Sequence, residues 1–331
     1  MASSEPRRVP VLLLTGALGS GKTTLLAALL RRPEMAETAV VVNEFAPAGI
    51  DDLVLADASG RADDVLLLRN GCLCCTPGSD LGRSLLALLR RPRPPARIVV
   101  ETSGLADPVP LLGQLMGDPR LRGLIRLDGV IATVDALHVE AALATDVGLR
   151  QATVADRRIV TKGDLAGPDA VAHAVRRLTE ANPGAEVIVA ASGAVPPDRV
   201  VGAGLVAADG SVQLARWLSA DRFRAAGADE TAHACLVEHD GPLAWSLLAP
   251  RMEAFLRGPA APILRMKGVL HTDDDPRPLV VHGVRSTFHR PVRLDAWPGG
   301  RPFSQLVLIG GPGIRADGDR LRALLATCRA A

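Results

Sequence analysis

The feature that most constrains the fold is a glycine-rich segment at residues 16–23, Gly-Ala-Leu-Gly-Ser-Gly-Lys-Thr, which fits the pattern GxxxxGK(S/T). It lies between an apolar run at residues 9–14 and a segment of helical periodicity at residues 22–32. In this context the glycines let backbone N–H groups turn toward a phosphate, and the N-terminus of the helix adds positive potential. A glycine-rich turn without a ligand is the alternative.

This segment predicts a phosphate-binding loop. In such loops the lysine, here Lys22, reaches the β- and γ-phosphates, and the following hydroxyl, here that of Thr23, binds Mg²⁺. The predicted nucleotide contacts in this segment are Gly16, Gly19, Ser20, Gly21, Lys22, Thr23 and Thr24.

The order of apolar runs and helical patterns predicts an α/β fold. From residue 9 to about residue 191, short β-rich runs alternate with amphipathic segments, which is typical of a parallel sheet with crossover helices. From about residue 232 the order is strand, helix, three strands and a last helix at 319–329, which indicates a mostly antiparallel sheet. We expect a P-loop NTPase domain with a mostly parallel sheet at 1–200, a linker at 201–230 with one short helix, and a smaller α+β domain at 231–331.

An acidic residue ends a later strand. Glu101 follows the apolar run at residues 98–100, and Gly104 comes three positions after it. In P-loop folds a carboxylate at this position supports Mg²⁺ or the attacking water, and the glycine N–H meets the γ-phosphate. An isolated acid at a strand end could equally cap the next helix. After a phosphate loop, the interpretation of Glu101 as a catalytic carboxylate is favoured.

Two further segments point to the base of the nucleotide. Thr161-Lys162-Gly163-Asp164 follows one apolar strand, and Ser192-Gly193-Ala194 follows the next. The Asp164 carboxylate can accept the N1–H and N2 amino hydrogens of guanine, which adenine cannot supply. Lys162 would lie along the base plane and the Ala194 N–H would meet O6. Asparagine is commonest where Thr161 stands, and chance surface residues are the alternative, but three motifs in this order favour guanine over adenine.

Three cysteines in four positions predict a metal site. Cys72, Cys74 and Cys75 follow the apolar run at residues 65–68. Residues two apart on an extended segment face the same side, so Cys72 and Cys74 can present two sulfurs to one soft metal. Tetrahedral Zn²⁺ needs further ligands, and Glu44, which follows the second strand, is a reasonable oxygen donor. The alternative is that the cysteines fill space as small hydrophobic residues.

Composition excludes several other classes of function. Aromatic residues make up 2% of the chain, with no Tyr, and the net charge is +2, so neither base stacking nor a basic surface for nucleic acid is expected. No apolar run is long enough to span a membrane, and no secretory cleavage pattern follows the N-terminal apolar run. We therefore expect a cytoplasmic protein with no nucleic-acid or membrane partner.

The motifs together resemble those of the CobW-type P-loop GTPases, a family of metal-insertion and metal-trafficking proteins. The resemblance rests on GALGSGKTT, VNEF, NGCLCC, ETSGLADP, LDGVIATVDA, QATVADRRIVTKGD and SGA in this order, and it extends through RMKGVL and RPFSQLVLIG to about residue 329. It implies slow GTP hydrolysis, Mg²⁺ bound with the nucleotide, and Zn²⁺ (or Co²⁺) held by Glu44, Cys72, Cys74 and Cys75.

This resemblance implies a GTP-hydrolysing metallochaperone that passes zinc to a metal-requiring client protein under nucleotide control. Lys22, Thr23 and Glu101 are then its catalytic residues. Two other functions fit parts of the sequence: a nucleotide-binding metal buffer or sensor with negligible turnover, and an ATP-using P-loop kinase in which Asp164 has no role.

Overall fold

Apolar runs in the N-terminal half pair as a parallel sheet in a computed structural model of the chain. The structure describes residues 8–44, 65–69, 80–190, 194–207, 209, 211–225, 233–258, 263–297 and 300–330. Within these residues, seven strands form the first sheet, in the spatial order β3-β2-β4-β1-β5-β6-β7. The strands are β1 (Val9–Gly16), β2 (Thr38–Glu44), β3 (Val65–Arg69), β4 (Arg97–Thr102), β5 (Ile125–Asp135), β6 (Arg157–Thr161) and β7 (Glu186–Val189).

Helices cross between these strands. They are α1 (Lys22–Leu30), α2 (Asp80–Leu89), α3 (Pro108–Gly117), α4 (Val139–Leu143), α5 (Asp146–Val154), α6 (Gly163–Ala166) and α7 (Pro168–Ala181). Every side chain from Val11 to Leu14 in β1 is at most 1% exposed, so both faces of the central strand are covered. This burial on both faces is typical of parallel sheets and explains why β1 is a continuous apolar run.

The segment after β7 returns to the first sheet. Val200 and Val201 join the same apolar core as Leu12 and Ile131. The buried Asp128 carboxylate accepts the Gly202 N–H at 2.9 Å, which fixes the segment beside β5. By contact density the first compact unit comprises Met1–Arg177 and Glu186–Gln213, and the second comprises Leu178–Ala185 and Leu214–Ala331. The domain limits 1–200, 201–230 and 231–331 stay a prediction.

The second unit contains an antiparallel sheet in the order β11-β10-β9-β13-β8, with β12 paired to β10. Its strands are β8 (Ala234–His239), β9 (Ile263–Leu270), β10 (Leu279–Val284), β11 (Thr287–Phe288), β12 (Val292–Arg293) and β13 (Ser304–Gly310). Its helices are α8 (Leu214–Leu218), α9 (Ala220–Ala225), α10 (Trp245–Arg257) and α11 (Ile314–Ala326). A parallel α/β unit and a smaller antiparallel α+β unit confirm the predicted fold class.

Several helices differ from the sequence prediction. The last helix was expected at 319–329 but begins at Ile314, directly after Gly313, whose φ of 100° suits only glycine without strain. Helix α3 was missed, although Asp107 accepts the Val109 N–H at 2.9 Å and Pro108 occupies the first turn. Helix α5 was missed too, and Thr145 caps it by accepting the Gly148 N–H at 3.0 Å. These local capping signals could have located both helices.

Candidate nucleotide and metal site

The described residues of the predicted site lie at or just after the carboxyl ends of parallel strands, along one edge of the sheet. Across this edge the order is β2, which ends at Glu44, then β4, which carries Glu101, and then β1, which leads into the phosphate loop. On the other side of the phosphate loop come β5 and then β6, which ends at Thr161. Ligands of open α/β sheets bind at this edge. Strand β4, which carries Glu101, therefore lies between β2, which ends at Glu44, and β1, which leads into the phosphate loop.

The phosphate loop is closed around its own lysine. Gly16, Gly19 and Gly21 have φ values of 142°, 72° and 90°, so the shape of the loop depends on glycine at these positions. The Lys22 ammonium donates to the carbonyl oxygens of Gly16 at 2.9 Å and Ala17 at 3.1 Å, and Lys22 is 7% exposed. This places a positive charge inside the loop at the N-terminus of α1, the arrangement that binds phosphate.

Thr23 and Glu101 are in direct contact. The Thr23 hydroxyl donates to Glu101 Oε1 at 2.9 Å, and Glu101 is buried at the end of β4, beside Leu14 of β1. A hydroxyl and a carboxylate form a hard oxygen donor set of the kind that Mg²⁺ prefers. The two residues therefore fit a magnesium ion next to the phosphate loop.

Thr161 links the predicted guanine segment to the phosphate loop. Its hydroxyl donates to the Ser20 carbonyl oxygen at 2.7 Å, and the residue is buried. The Ser20 hydroxyl in turn lies 2.7 Å from the hydroxyl of Thr133 on β5. Thr161 thus joins the two segments through one side chain although asparagine is commonest at its position.

Lys162 is held by an aspartate that sequence reasoning missed. Lys162 has a φ of 56°, and its ammonium donates to Asp135 Oδ2 at 2.7 Å; His138 Nδ1 lies 2.9 Å from the same oxygen. Burial by itself raises the pKa of Asp135, but the hydrogen bonds from Lys162 and His138 outweigh it, so the pKa is lowered overall. Asp135 remains ionised and fixes the Lys162 side chain. Its position at the end of an apolar strand, as for Glu101, was the available signal.

The remaining predicted nucleotide-binding residues differ in solvent exposure. Asp164 is exposed in the first turn of α6, and Ala194 and Thr24 are exposed as well. Gly104 is buried against the phosphate loop. Ser192 lies outside the described residues. The exposure of Asp164 leaves its carboxylate accessible to a base.

The predicted metal ligands lie outside the described side chains. Cys72, Cys74 and Cys75 fall in the segment 70–79, and only the backbone of Glu44 is described. Glu44, the last residue of β2, pairs in register with Arg69, the last residue of β3, so the two strands end side by side. In the part of the chain that is described, no group of three or more His, Cys, Asp or Glu side chains is arranged to hold a metal.

A phosphate loop followed by a buried carboxylate on the adjacent strand defines a P-loop nucleotide-binding protein. Residues 10–189 match the model of the CobW/HypB/UreG nucleotide-binding domain, and residues 232–329 match that of the cobalamin synthesis protein cobW C-terminal domain. The chain belongs to the CobW family, which confirms the resemblance seen in its motifs.

Several proteins in this family are similar to the chain. The zinc chaperone YjiA of Escherichia coli is 32% identical over 333 residues, which cover 97% of this chain and 99% of YjiA. The zinc chaperone CobW of a Sinorhizobium species is 36% identical over 44% of this chain and 42% of its own length. The crystal structure of Zn(II)-bound YjiA GTPase from E. coli superposes with a TM-score of 0.70 at 26% identity, covering 98% of this chain and all of that one.

No helix among the described residues has both the length and the apolar character that a membrane span requires.

Proposed function

We propose that this protein is a GTP-hydrolysing metallochaperone whose cargo is zinc and whose client is a metal-requiring protein. The observation that carries the proposal is the strand order along one sheet edge: β1, which leads into the phosphate loop, lies between β5 and β4, which carries Glu101, and β2, which ends at Glu44, lies beside β4. Membership of a family that includes zinc chaperones supports the choice of cargo. Co²⁺ is the alternative cargo, because it is a divalent first-row transition metal that the same thiolate and carboxylate ligands can bind.

Guanine nucleotide would bind across the carboxyl ends of β1, β5 and β6. Lys22 binds the β- and γ-phosphates once these replace the carbonyl oxygens of Gly16 and Ala17, which hold its ammonium in the structure. The Asp164 carboxylate accepts the guanine N1–H and N2 amino hydrogens, and Ala194 N–H meets O6. Thr161 sets the distance between base and phosphates through its bond to Ser20.

Thr23 and Glu101 would hold Mg²⁺, which would supply charge neutralisation at the β- and γ-phosphate oxygens. Glu101 also lies where a carboxylate can orient the attacking water. Leu105 follows Gly104 where many GTPases place a water-orienting glutamine, so hydrolysis should be slow. Lys22, Thr23 and Glu101 would therefore bind and polarise the phosphates, but the group of residues that activates the attacking water is incomplete.

Zinc would be bound by Cys72, Cys74, Cys75 and Glu44. Glu44 ends β2 and the cysteine segment follows β3 in the sequence; the last residues of these two strands, Glu44 and Arg69, are paired, and β2 lies beside β4, which carries Glu101. A cargo metal held by both segments would favour one arrangement of the loops that the γ-phosphate also orders. Nucleotide state would then control capture and release of zinc.

Zinc titrations in the presence of GDP and of a non-hydrolysable GTP analogue test this proposal, with a chromogenic chelator as competitor. Reciprocal linkage predicts that the two nucleotides change zinc affinity by a typical coupling of about 1–3 kcal/mol, or roughly 5- to 150-fold. Zinc affinity should also fall at low pH, because thiolate ligands must lose protons.

Cys72→Ser and Cys74→Ser should abolish tight zinc binding while GDP affinity stays nearly unchanged. Cys235→Ser is the matched control, because Cys235 is a cysteine outside the candidate metal site, buried in the second unit, where its thiol donates to Ile314 O. Equal zinc affinities with the two nucleotides would contradict nucleotide control and would favour a metal buffer or a structural zinc site. Preference for ATP over GTP would favour the alternative function of an ATP-using P-loop kinase.

A further inference from the structure

Helix α5 holds the loop that follows Glu101. We call residues 103–107 the Gly104 loop; it connects β4 to α3. The side-chain amide of Gln151 on α5 donates to two carbonyl oxygens of this loop, Gly104 O at 3.2 Å and Ala106 O at 3.1 Å. Gln151 is 2% exposed; its bond to Gly104 O is buried and its bond to Ala106 O is partly buried. One buried nitrogen thus spans the Gly104 loop.

The geometry settles which end of the amide faces the loop. A flipped amide would place its oxygen 3.1–3.2 Å from two carbonyl oxygens, where no hydrogen is available for either contact. In the observed orientation, Oε1 of Gln151 is buried and has no hydrogen-bond partner among the described residues. A buried amide oxygen without a partner is unfavourable for stability. Glutamine at 151 is therefore explained by its two donated bonds and not by general packing.

The held loop is pressed against the phosphate loop. A Cβ placed on Gly104 would lie 2.5 Å from Leu18 N and 2.6 Å from Leu18 Cα, so only glycine permits this approach. Three residues before Gly104, Glu101 bonds to Thr23. Movement of the Gly104 peptide therefore changes the wall of the phosphate site.

A cavity of about 440 Å³ adjoins the loop; Leu18 and Leu105 line it, as do Val147 and Gly148 of α5. A second tether, the ion pair between Arg150 Nη1 and Asp107 Oδ2 at 2.9 Å, holds the end of the loop. Within the loop, the Ala106 N–H also donates to Ser103 O at 3.0 Å, and Gln151 supplies the side-chain bonds that join the centre of the loop to α5.

Resting on the proposed GTPase activity, we propose that Gln151 is a positioning residue for hydrolysis, which presents the Gly104 peptide to the γ-phosphate. Gln151 does not touch the nucleotide itself. It acts by holding the Gly104 and Ala106 carbonyls on α5, so that the opposite edge of the loop faces the phosphate loop. Misplacement of such a group by about 1 Å can cost roughly a hundredfold in rate.

The test compares Gln151→Leu and Gln151→Glu with the unaltered protein. Gln213→Leu is the matched control, because the Gln213 amide also donates to a backbone carbonyl, Gly202 O at 3.3 Å, away from the phosphate loop. Single-turnover GTP hydrolysis, GDP affinity and hydrogen–deuterium exchange of residues 102–109 in nucleotide-free protein are measured for each. The exchange measurement requires no catalysis.

Gln151→Leu should increase exchange in the Gly104 loop severalfold and slow hydrolysis about tenfold or more, with GDP affinity within about twofold. Gln151→Glu should be as slow near neutral pH but recover relative to the unaltered protein as pH falls, because a protonated carboxyl again donates a hydrogen. Unchanged exchange and rate in Gln151→Leu would overturn the proposal, as would equal losses of GDP affinity and rate. If the unaltered protein hydrolyses no GTP, the proposed function fails, while exchange still shows whether Gln151 holds the loop.

Discussion

Thr161 shows how one hydroxyl can replace the amide that is commonest at its position. The hydroxyl reaches the Ser20 carbonyl at 2.7 Å, and Ser20 is anchored on its other side by Thr133. The predicted base segment and phosphate loop are therefore one connected unit before any nucleotide binds. Such pre-organisation reduces the ordering cost of binding.

Removing this hydroxyl should weaken nucleotide binding modestly. We expect Thr161→Ala to lower GDP affinity by about 0.5–1.5 kcal/mol, the usual net value of one neutral hydrogen bond, which is roughly two- to twelvefold. Thr153→Ala is the control, since the Thr153 hydroxyl also bonds a carbonyl, that of Leu149 at 2.9 Å within α5. Calorimetric titration with GDP measures both. Equal losses in the two variants would assign the effect to general stability.

Asp164 should decide the identity of the base. Asp164→Asn removes the acceptor for one guanine hydrogen and adds an amide donor that suits the C2 oxygen of xanthine. We expect preference to change from guanosine to xanthosine nucleotides, with a loss of about 10⁴-fold against guanine, as at sites built around specific hydrogen bonds. Competition of GDP, XDP and ADP against a fluorescent GDP analogue measures this. Equal ATP and GTP affinity in the unaltered protein would contradict guanine recognition.

At the scale of elements, strand β9 carries positive charge into the second unit. Arg265 is 0% exposed and Lys267 is 6% exposed, and the Lys267 ammonium lies 5.6 Å from the centre of the Trp217 ring. Arg265 Nε donates to His282 Nε2 on β10 at 3.0 Å, which requires a neutral imidazole. Trp217 and His289 flank the same ring, with centroids at 5.8 and 6.0 Å.

This arrangement predicts acid sensitivity of the second unit. His282 as a residue is only half-buried, but dense packing around its ring, together with Arg265, His289 and Lys267, lowers its pKa well below 6.5. The unfolded chain therefore binds the proton more readily. Stability from the neutral ring is present above pH 6.5 and is lost as pH falls from there toward the lowered pKa.

Thermal unfolding between pH 7.5 and 5 measures this effect through tryptophan fluorescence, because Trp217, Trp245 and Trp297 all belong to the second unit. His282→Gln should flatten the pH dependence. His173→Gln, on the exposed surface of α7, is the control. An equally steep acid loss in His282→Gln would show that other groups cause it.

At the scale of the whole molecule, the proposed GTPase lacks two features that make hydrolysis fast in other GTPases. Leu105 stands where a water-orienting glutamine is common, and no arginine finger is identifiable in the sequence. GTPases without such help turn over at on the order of 10⁻⁴ to 10⁻² per second.

We therefore expect steady-state GTP hydrolysis by the purified protein in this slow range, measured as phosphate release at saturating GTP and Mg²⁺. Lys22→Ala is the control that should remove hydrolysis together with tight nucleotide binding. A rate above about 1 per second without a partner would contradict the prediction, since it requires complete catalytic machinery.

The local motifs were readable from the sequence alone. The phosphate loop, Glu101 and the Thr161 segment each lie at or just after the end of an apolar strand. The periodicity of apolar residues and the short motifs beside them were sufficient to find all three. The same reasoning predicted both fold classes. It missed α3 and α5, whose capping residues were not used.

The contacts that join these motifs required the tertiary structure. Thr133 meets Ser20 across 113 positions of sequence, Lys162 meets Asp135 across 27, and Gln151 meets Gly104 across 47. Each pairing depends on which strands become neighbours, and that order, with β4 inserted between β1 and β2, comes from crossover connections. Sequence determined which residues could do chemistry, because motif chemistry is local. Tertiary structure decided which of them meet, because strand order and packing arise from burial summed over the whole domain.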